Sequence, residues 1–244
     1  MYFGSGLDEH SRTLVVNIYL YQKAKQRFRA EGILIPHHRQ ALPLSATLND
    51  TESTNKLISH FDNYLPLDDK EKEELGNRII EKNIKRRQFI LQENDVCRHY
   101  TFVIAGLFKM YAVDKNGTEH NLQFASENEW INDIGSFHSD KPSRLYIEAI
   151  EPSVILQIEK SNLLYLYTHF PKFNRNFRVI IENKFIELEN RVLQNISSTA
   201  EERYQTFLDQ YPQLSNRLPN TQIASYLGIT PEFLSKIRNN ITKK

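Results

Sequence analysis

The stretch that most restricts how this chain can fold is Asn220 to Asn239, which reads NTQIASYLGITPEFLSKIRN. Gly228 falls where a tight turn needs a positive φ, which is cheap only for glycine. Ala224 falls where two helices would cross and only a small side chain fits. Ile223, Leu227, Ile229, Leu234 and Ile237 supply apolar contacts between the helices. Thr230 can cap the second helix, and Pro231 sits at its first position, where a missing N–H does no harm. Agreement at so many packing-restricted positions predicts a helix-turn-helix, whose second helix enters the major groove of DNA. Glu232 and Lys236 are four apart and share the outer face of that helix, opposite Leu234 and Ile237. Glu232 can accept from a cytosine amino group, and Lys236 can donate to guanine. Thr221, Gln222 and Arg238 are placed for phosphates, and Thr230 and Asn239 complete the candidate DNA-binding set.

Charge supports this reading locally rather than globally. The whole chain carries a net charge of only +1. From Gln213 to Lys244, however, five cations (Arg217, Lys236, Arg238, Lys243, Lys244) stand against Glu232 alone, a local net of +4. A DNA-binding segment needs that bias. The single cysteine, Cys97, excludes an internal disulfide framework and a four-cysteine iron–sulfur cluster within one chain. The most apolar stretch near the N-terminus, Thr13 to Gln22, is about ten residues, too short for a membrane span. It lacks a signal-peptide cleavage site, so a cytoplasmic location without membrane contact is expected.

Along the chain, residues 1–47 differ from the rest. They hold six Lys/Arg against three acids and show no clean period, with Leu14 to Phe28 as a short helix candidate. They read either as an extension or as sequence upstream of a true start near Leu48. Ser53 to Lys82 reads as helical, with Asp68 to Glu81 a charged helix turning Leu75, Ile79 and Ile80 inward. Short strands follow: Arg87 to Gln92, Tyr100 to Val113, Thr118 to Ala125, Leu145 to Ala149 and Val154 to Ile158. Asn116-Gly117 makes a hairpin turn. The spacing predicts an antiparallel roll or barrel. Asn174 to Ile196 is a long helix. Ile181, Phe185, Leu188 and Val192 repeat with the 4-3-4 spacing of a coiled-coil seam. Val179, Ile186 and Leu193 form a second stripe. A central helix of a monomer would also carry apolar stripes; two of them favour a dimer seam. Ser198 and Glu201 read as a capping box opening a further helix with Tyr204, Phe207, Leu208 and Tyr211.

The order is helices, strand-rich roll, long helix, then helix-turn-helix. With YTFVIAGLFKMY, DKNGTEHNLQF and EWINDIGSFHSDKPSRLYIEAIEPS at this spacing, the chain from about Leu57 to Asn240 resembles the Crp–Fnr family of bacterial transcription regulators. The resemblance implies an α+β architecture: an antiparallel, cyclic-nucleotide-binding-like β-roll sensor over 48–173, a dimerisation helix over 174–198 and a DNA-binding domain over 199–244. It further implies a homodimer on a palindromic operator, with double-stranded DNA and RNA polymerase as partners and a small-molecule effector in the roll.

Several positions depart from the family pattern. The family's Gly-Glu-Leu element aligns with Asn132-Asp133-Ile134, and its phosphate-clamping Arg-Ser pair aligns with Ser143-Arg144. Asp133 is one methylene shorter than glutamate. Arg144 is displaced by one residue, which on a strand reverses the face. Asn132, Asp133, Ile134, Ser143 and Arg144 therefore mark the effector pocket but predict no tight cyclic-AMP binding. In the recognition helix, Pro231 replaces an arginine, and Phe233 or Ser235 is left to supply that contact. Lys244 comes too soon for the winged hairpin that usually follows.

The remaining chemistry is sparse. The eight histidines show no metal-ligand spacing, and no axial pair for a haem stands out, so no metal or cofactor is expected. Asp133, Ser136 and His138 lie close in sequence, but the G-x-S-x-G elbow is missing and no catalytic residue is assigned. Two function classes remain: a DNA-binding regulator with an effector sensor, and a ligand-binding or scaffold protein whose C-terminal helices contact another protein. The +4 segment and the complete helix-turn-helix favour the first.

Overall fold

The computed structural model describes residues 52–242, and the expectations for residues 1–47 lie outside the described residues. Helices α1 (Glu52–Asp62) and α2 (Asp69–Gly76) come first. A capping box starts α2: the Asp68 carboxylate accepts from the Glu71 N–H, and the Glu71 carboxylate accepts from the Asp68 N–H. The helical reading through Lys82 is corrected here. Helix α2 ends at Gly76, and Ile79–Ile84 is strand β1, paired antiparallel with a later strand, Ile79 opposite Ile158. Partner-strand hydrogen bonds override a helical pattern when the residues are β-branched. Side chains then alternate, so Ile79 packs against the core while Ile80 is 54% exposed.

The strands are β2 (Phe89–Leu91), β3 (His99–Ala105), β4 (Phe108–Val113), β5 (Glu119–Ala125), β6 (Trp130–Ile131), β7 (Tyr146–Ala149) and β8 (Ser153–Glu159), with α3 (Ile134–Ser139) between β6 and β7. They form two four-stranded antiparallel sheets, β1-β8-β3-β6 and β2-β7-β4-β5. Tyr100 to Val113 is two strands rather than one, because the chain turns at Gly106 with φ +102. A Cβ there would sit 2.1 Å from Ser153 Oγ, so only glycine fits. The Asn116-Gly117 hairpin forms as expected, with Asp114 Oδ1 accepting from the N–H groups of Asn116 and Thr118.

Both sheets contribute to one apolar core, with Leu91, Phe108 and Ile147 from one and Phe102, Val103 and Ile155 from the other. Helix α4 (Lys160–His169) follows the roll, and the long helix α5 spans Pro171–Ser197. Pro171 starts α5 at a position where its missing N–H is harmless. The buried residues of α5 lie in its first part: Phe173, Asn176, Phe177 and Ile180, with Asn176 donating to the Leu65 carbonyl at 2.9 Å. Trp130 joins these layers. Its ring lies 4.9 Å from Phe102, 5.1 Å from Phe177 and 5.4 Å from Tyr100.

The Trp130 indole N–H donates to His60 Nε2 at 3.1 Å, so His60 must be neutral to accept. Burial, with a smaller contribution from the Lys184 charge, lowers the His60 pKa to about 4. In the unfolded chain the value is about 6.5. The unfolded state therefore binds the proton first, and stability is lost as pH falls from about 6.5 towards 4. His60→Gln should flatten that part of the stability–pH curve measured by denaturant titration. An unchanged slope would mean His60 does not carry it.

Candidate DNA-binding face and effector cavity

After α5 the chain breaks at Ser198 and re-enters helix as α6 (Ala200–Gln210), then α7 (Leu214–Arg217), α8 (Asn220–Leu227) and α9 (Pro231–Thr242). The capping box lies one residue later than the sequence reading placed it. Thr199 is the N-cap, accepting from the Glu202 N–H, and Glu202 accepts from the Thr199 N–H. Both frames satisfy the same spacing, and the extended backbone of Thr199 selects one.

Helices α8 and α9 form the helix-turn-helix geometry. Gly228 adopts φ 68 at the C-terminus of α8, and Phe233 N–H donates to Thr230 Oγ1. Ile223, Ala224, Leu227, Leu234 and Ile237 are buried together with Tyr204 and Phe207 of α6. On the opposite side of α9, Glu232, Phe233, Ser235, Lys236 and Asn239 are exposed, as are Thr221 and Thr230.

Two residues expected at phosphates are placed otherwise. Arg238 turns inward, donating to Tyr204 Oη at 2.7 Å, to Asn220 Oδ1 and to the Ser215 carbonyl. Gln222 Oε1 accepts from Asn121 Nδ2 of β5 at 2.8 Å. The reason is shared: both side chains find buried acceptors or donors nearer than solvent, and such groups are costly to leave unpaired.

The Gln222 contact belongs to a larger junction between roll and C-terminal helices. Leu107 and Phe124 of the roll are buried in the same cluster as the α6, α8 and α9 core. Ser225 accepts from the Asn121 N–H and donates to the Glu119 carbonyl at 2.7 Å. Arg191 of α5 donates to the carbonyls of Leu122, Asn121 and Tyr226, and stacks on the Tyr226 ring at 3.9 Å. On another side, Arg217 reaches Glu127 at 2.8 Å and Glu151 at 2.7 Å. Burial pushes the Glu127 carboxyl up, but hydrogen bonds from Arg217 and the Gly106 N–H hold it below its ordinary value.

Asn132, Asp133 and Ile134 meet at the wall of an open cavity of about 500 Å³ bordered by the roll, α5 and the C-terminal helices. The other two sequence candidates are not on that wall. Ser143 is buried behind Asp133 and donates to its carboxylate at 2.7 Å, while Arg144 is exposed. Asp133 also caps α3 by accepting from the Ser136 N–H. Its oxygens are thus committed to the protein's own donors. Ser136 donates to the Lys141 carbonyl and accepts from the Cys97 N–H, so Asp133, Ser136 and His138 form no hydrogen-bonded triad. The cations that do line the cavity are Lys184, Arg191 and Arg203. Sequence reasoning missed them because each lies on an ordinary charged helix face, where basic residues carry no distinguishing pattern.

Residues 81–169 match the family profile of the cyclic nucleotide-binding domain. Among solved structures, FixK2 from Bradyrhizobium japonicum superposes with a TM-score of 0.61 at 19% identity, over 68% of this chain and 85% of that one. A CooA variant from Carboxydothermus hydrogenoformans gives 0.59 at 20% identity, over 81% and 87%. A protein from Eubacterium rectale assigned to the crp/fnr family of transcriptional regulators gives 0.58 at 17%, over 74% and 88%. The fold is that of the Crp–Fnr regulators. At these identities the likeness is one of fold, and no curated protein matches the chain. Among the described residues, no helix of this Crp–Fnr-like chain is long and apolar enough to cross a membrane.

Arg217→Ala should weaken the junction by about 1 kcal/mol, because two charge-assisted contacts are partly screened by solvent. Amide exchange should quicken in α6 to α8 while β3 and β8 keep their protection. Lowering the pH should act in the same direction. Glu127 has a depressed carboxyl pKa, so its contribution is complete above the ordinary carboxylate range and lost as pH falls through the depressed value. Unaltered exchange in Arg217→Ala would show that the apolar contacts alone hold the junction.

Proposed function

We propose that the chain is a cytoplasmic DNA-binding transcription regulator. It acts as a homodimer on a palindromic operator, responds to a small-molecule effector, and has RNA polymerase as a protein partner. The observation that carries the reading is the division of α9 into two faces. Leu234 and Ile237 are buried, while Glu232, Ser235, Lys236 and Asn239 project together on the other side. That arrangement suits base edges in a major groove. A Crp–Fnr-type fold around it supports the same reading. Arg238 acts as an internal brace rather than a phosphate contact, and Thr221 and Thr230 remain available at the surface.

Dimerisation rests on α5. Beyond Ile180 its apolar residues lose cover: Phe185, Leu188, Val192, Leu193 and Ile196 are between 50% and 80% exposed. Exposed apolar side chains repeated along one helix mark an unfilled interface. Leu188→Glu should yield monomers in sedimentation and abolish operator binding. A native protein that stays monomeric at micromolar concentration would contradict the seam.

The effector is not cyclic AMP. Arg144 stands off the cavity, and Asp133 is occupied by Ser143 and Ser136. Titration calorimetry should detect no submicromolar affinity for that nucleotide; finding it would mean that Arg144 reaches inward.

Selection of bound duplexes from a random pool, using purified full-length protein, tests the function. The expected product is a two-fold symmetric consensus. Lys236→Ala should then relax preference at one base pair per half-site, costing about 1–3 kcal/mol. Enrichment of no sequence would favour the alternative, a ligand-binding or scaffold protein whose C-terminal helices contact another protein.

A further inference from the structure

The cavity between the roll, α5 and the C-terminal helices holds a charge arrangement that its nucleotide-type loop does not account for. At about 500 Å³ it falls within the size of small-molecule sites. Leu122 and Leu145 of the roll and Phe207 of α6 give it apolar walls. Three cations, Lys184, Arg191 and Arg203, stand in those walls against two carboxylates, Asp133 and Glu187. The carboxylates are already matched. Glu187 accepts from Lys184 at 2.8 Å, and Asp133 accepts from Ser143 and Ser136.

Arg191 and Arg203 have no such partner. Neither forms an ion pair with a carboxylate among the described residues; Arg191 donates to the main-chain carbonyls of Leu122, Asn121 and Tyr226 and lies over the Tyr226 ring, and Arg203 donates to that of Ser198. Both cations stand in the wall of one largely apolar cavity, and Arg203 has the fewer acceptors, donating only from Nη1.

The geometry points to this cavity as the binding site of an amphipathic monoanion, with its carboxylate at the guanidinium of Arg203, whose one acceptor is the Ser198 carbonyl, and its apolar body against Leu122, Leu145 and Phe207. A carboxylate forms charge-assisted hydrogen bonds with a guanidinium group. Such a ligand touches the roll and the C-terminal helices at once, so its occupancy bears directly on how the α8–α9 unit is held. Phe185 and Leu188 also border the cavity, so in the proposed dimer the partner's helix lies across its mouth. The inference deepens the effector reading above. It is tested without DNA, so its failure and the failure of the regulator reading are separately visible.

Decanoate and decan-1-ol share a tail and differ in charge, and serve as the probes in calorimetric titration of the full chain. Decanoate should bind once per chain, about tenfold or more tightly than decan-1-ol. Arg203→Gln should erase that difference and leave decan-1-ol unaffected. Should that variant fail to fold, the two probes on the unaltered chain still decide the question. Equal affinities, no saturable decanoate binding below its micelle concentration, or a preference that survives Arg203→Gln would each overturn the assignment.

Discussion

The structure turns on the junction at β5, where the roll lends part of its own surface to the core of the C-terminal helices. Leu107 and Phe124 belong to the roll by chain position, yet they are buried among Ile223, Leu227 and Phe207. Asn121 lies beside them, almost fully buried, and its amide and side chain bind Ser225 and Gln222 of α8. Such groups cannot be withdrawn singly. Parting the helices from the roll exposes the apolar surface and strands the polar atoms together, so the contact behaves as a unit. Arg191 couples α5 to the same place by donating to both Asn121 and Tyr226. What the cavity and the exposed face of α9 share is this junction, which forms one side of the first and supports the second.

Much of this was legible in the residues before any coordinates. The helix-turn-helix follows from Gly228, Ala224 and the apolar set around them, because those positions are restricted by local packing. The roll follows from short β-branched runs and from Asn116-Gly117. Failures occur where distant contacts decide. Ile79-Ile80 reads as the end of a helix until β8 is there to pair with it. Gln222 and Arg238 read as phosphate ligands until Asn121 and Tyr204 are seen beside them. The cavity's arginines are invisible in sequence for a related reason: nothing local tells a solvated helix cation from one lining a cavity.

Helix α5 connects the two ends of the account. Its first third is fixed in the aromatic cluster around Trp130, and its second half presents an apolar face to solvent. The same half contributes Arg191 to the junction and Lys184 to the cavity wall. A partner helix on the exposed face would therefore press on elements that also meet the cavity and α8. Dimerisation, effector binding and the presentation of α9, all proposed here, would thus act through one continuous helix rather than through separate linkers.

The most direct test of a DNA-binding role is a footprint of the native protein on a selected duplex, combined with affinity measured at several salt concentrations. The proposed dimer predicts protection of two half-sites whose centres lie roughly 34 Å apart, one DNA turn. It also predicts an affinity that falls linearly on a log–log plot by about 0.9 per phosphate contacted. An affinity indifferent to salt, with no protected sequence, would contradict the assignment of α9 to DNA.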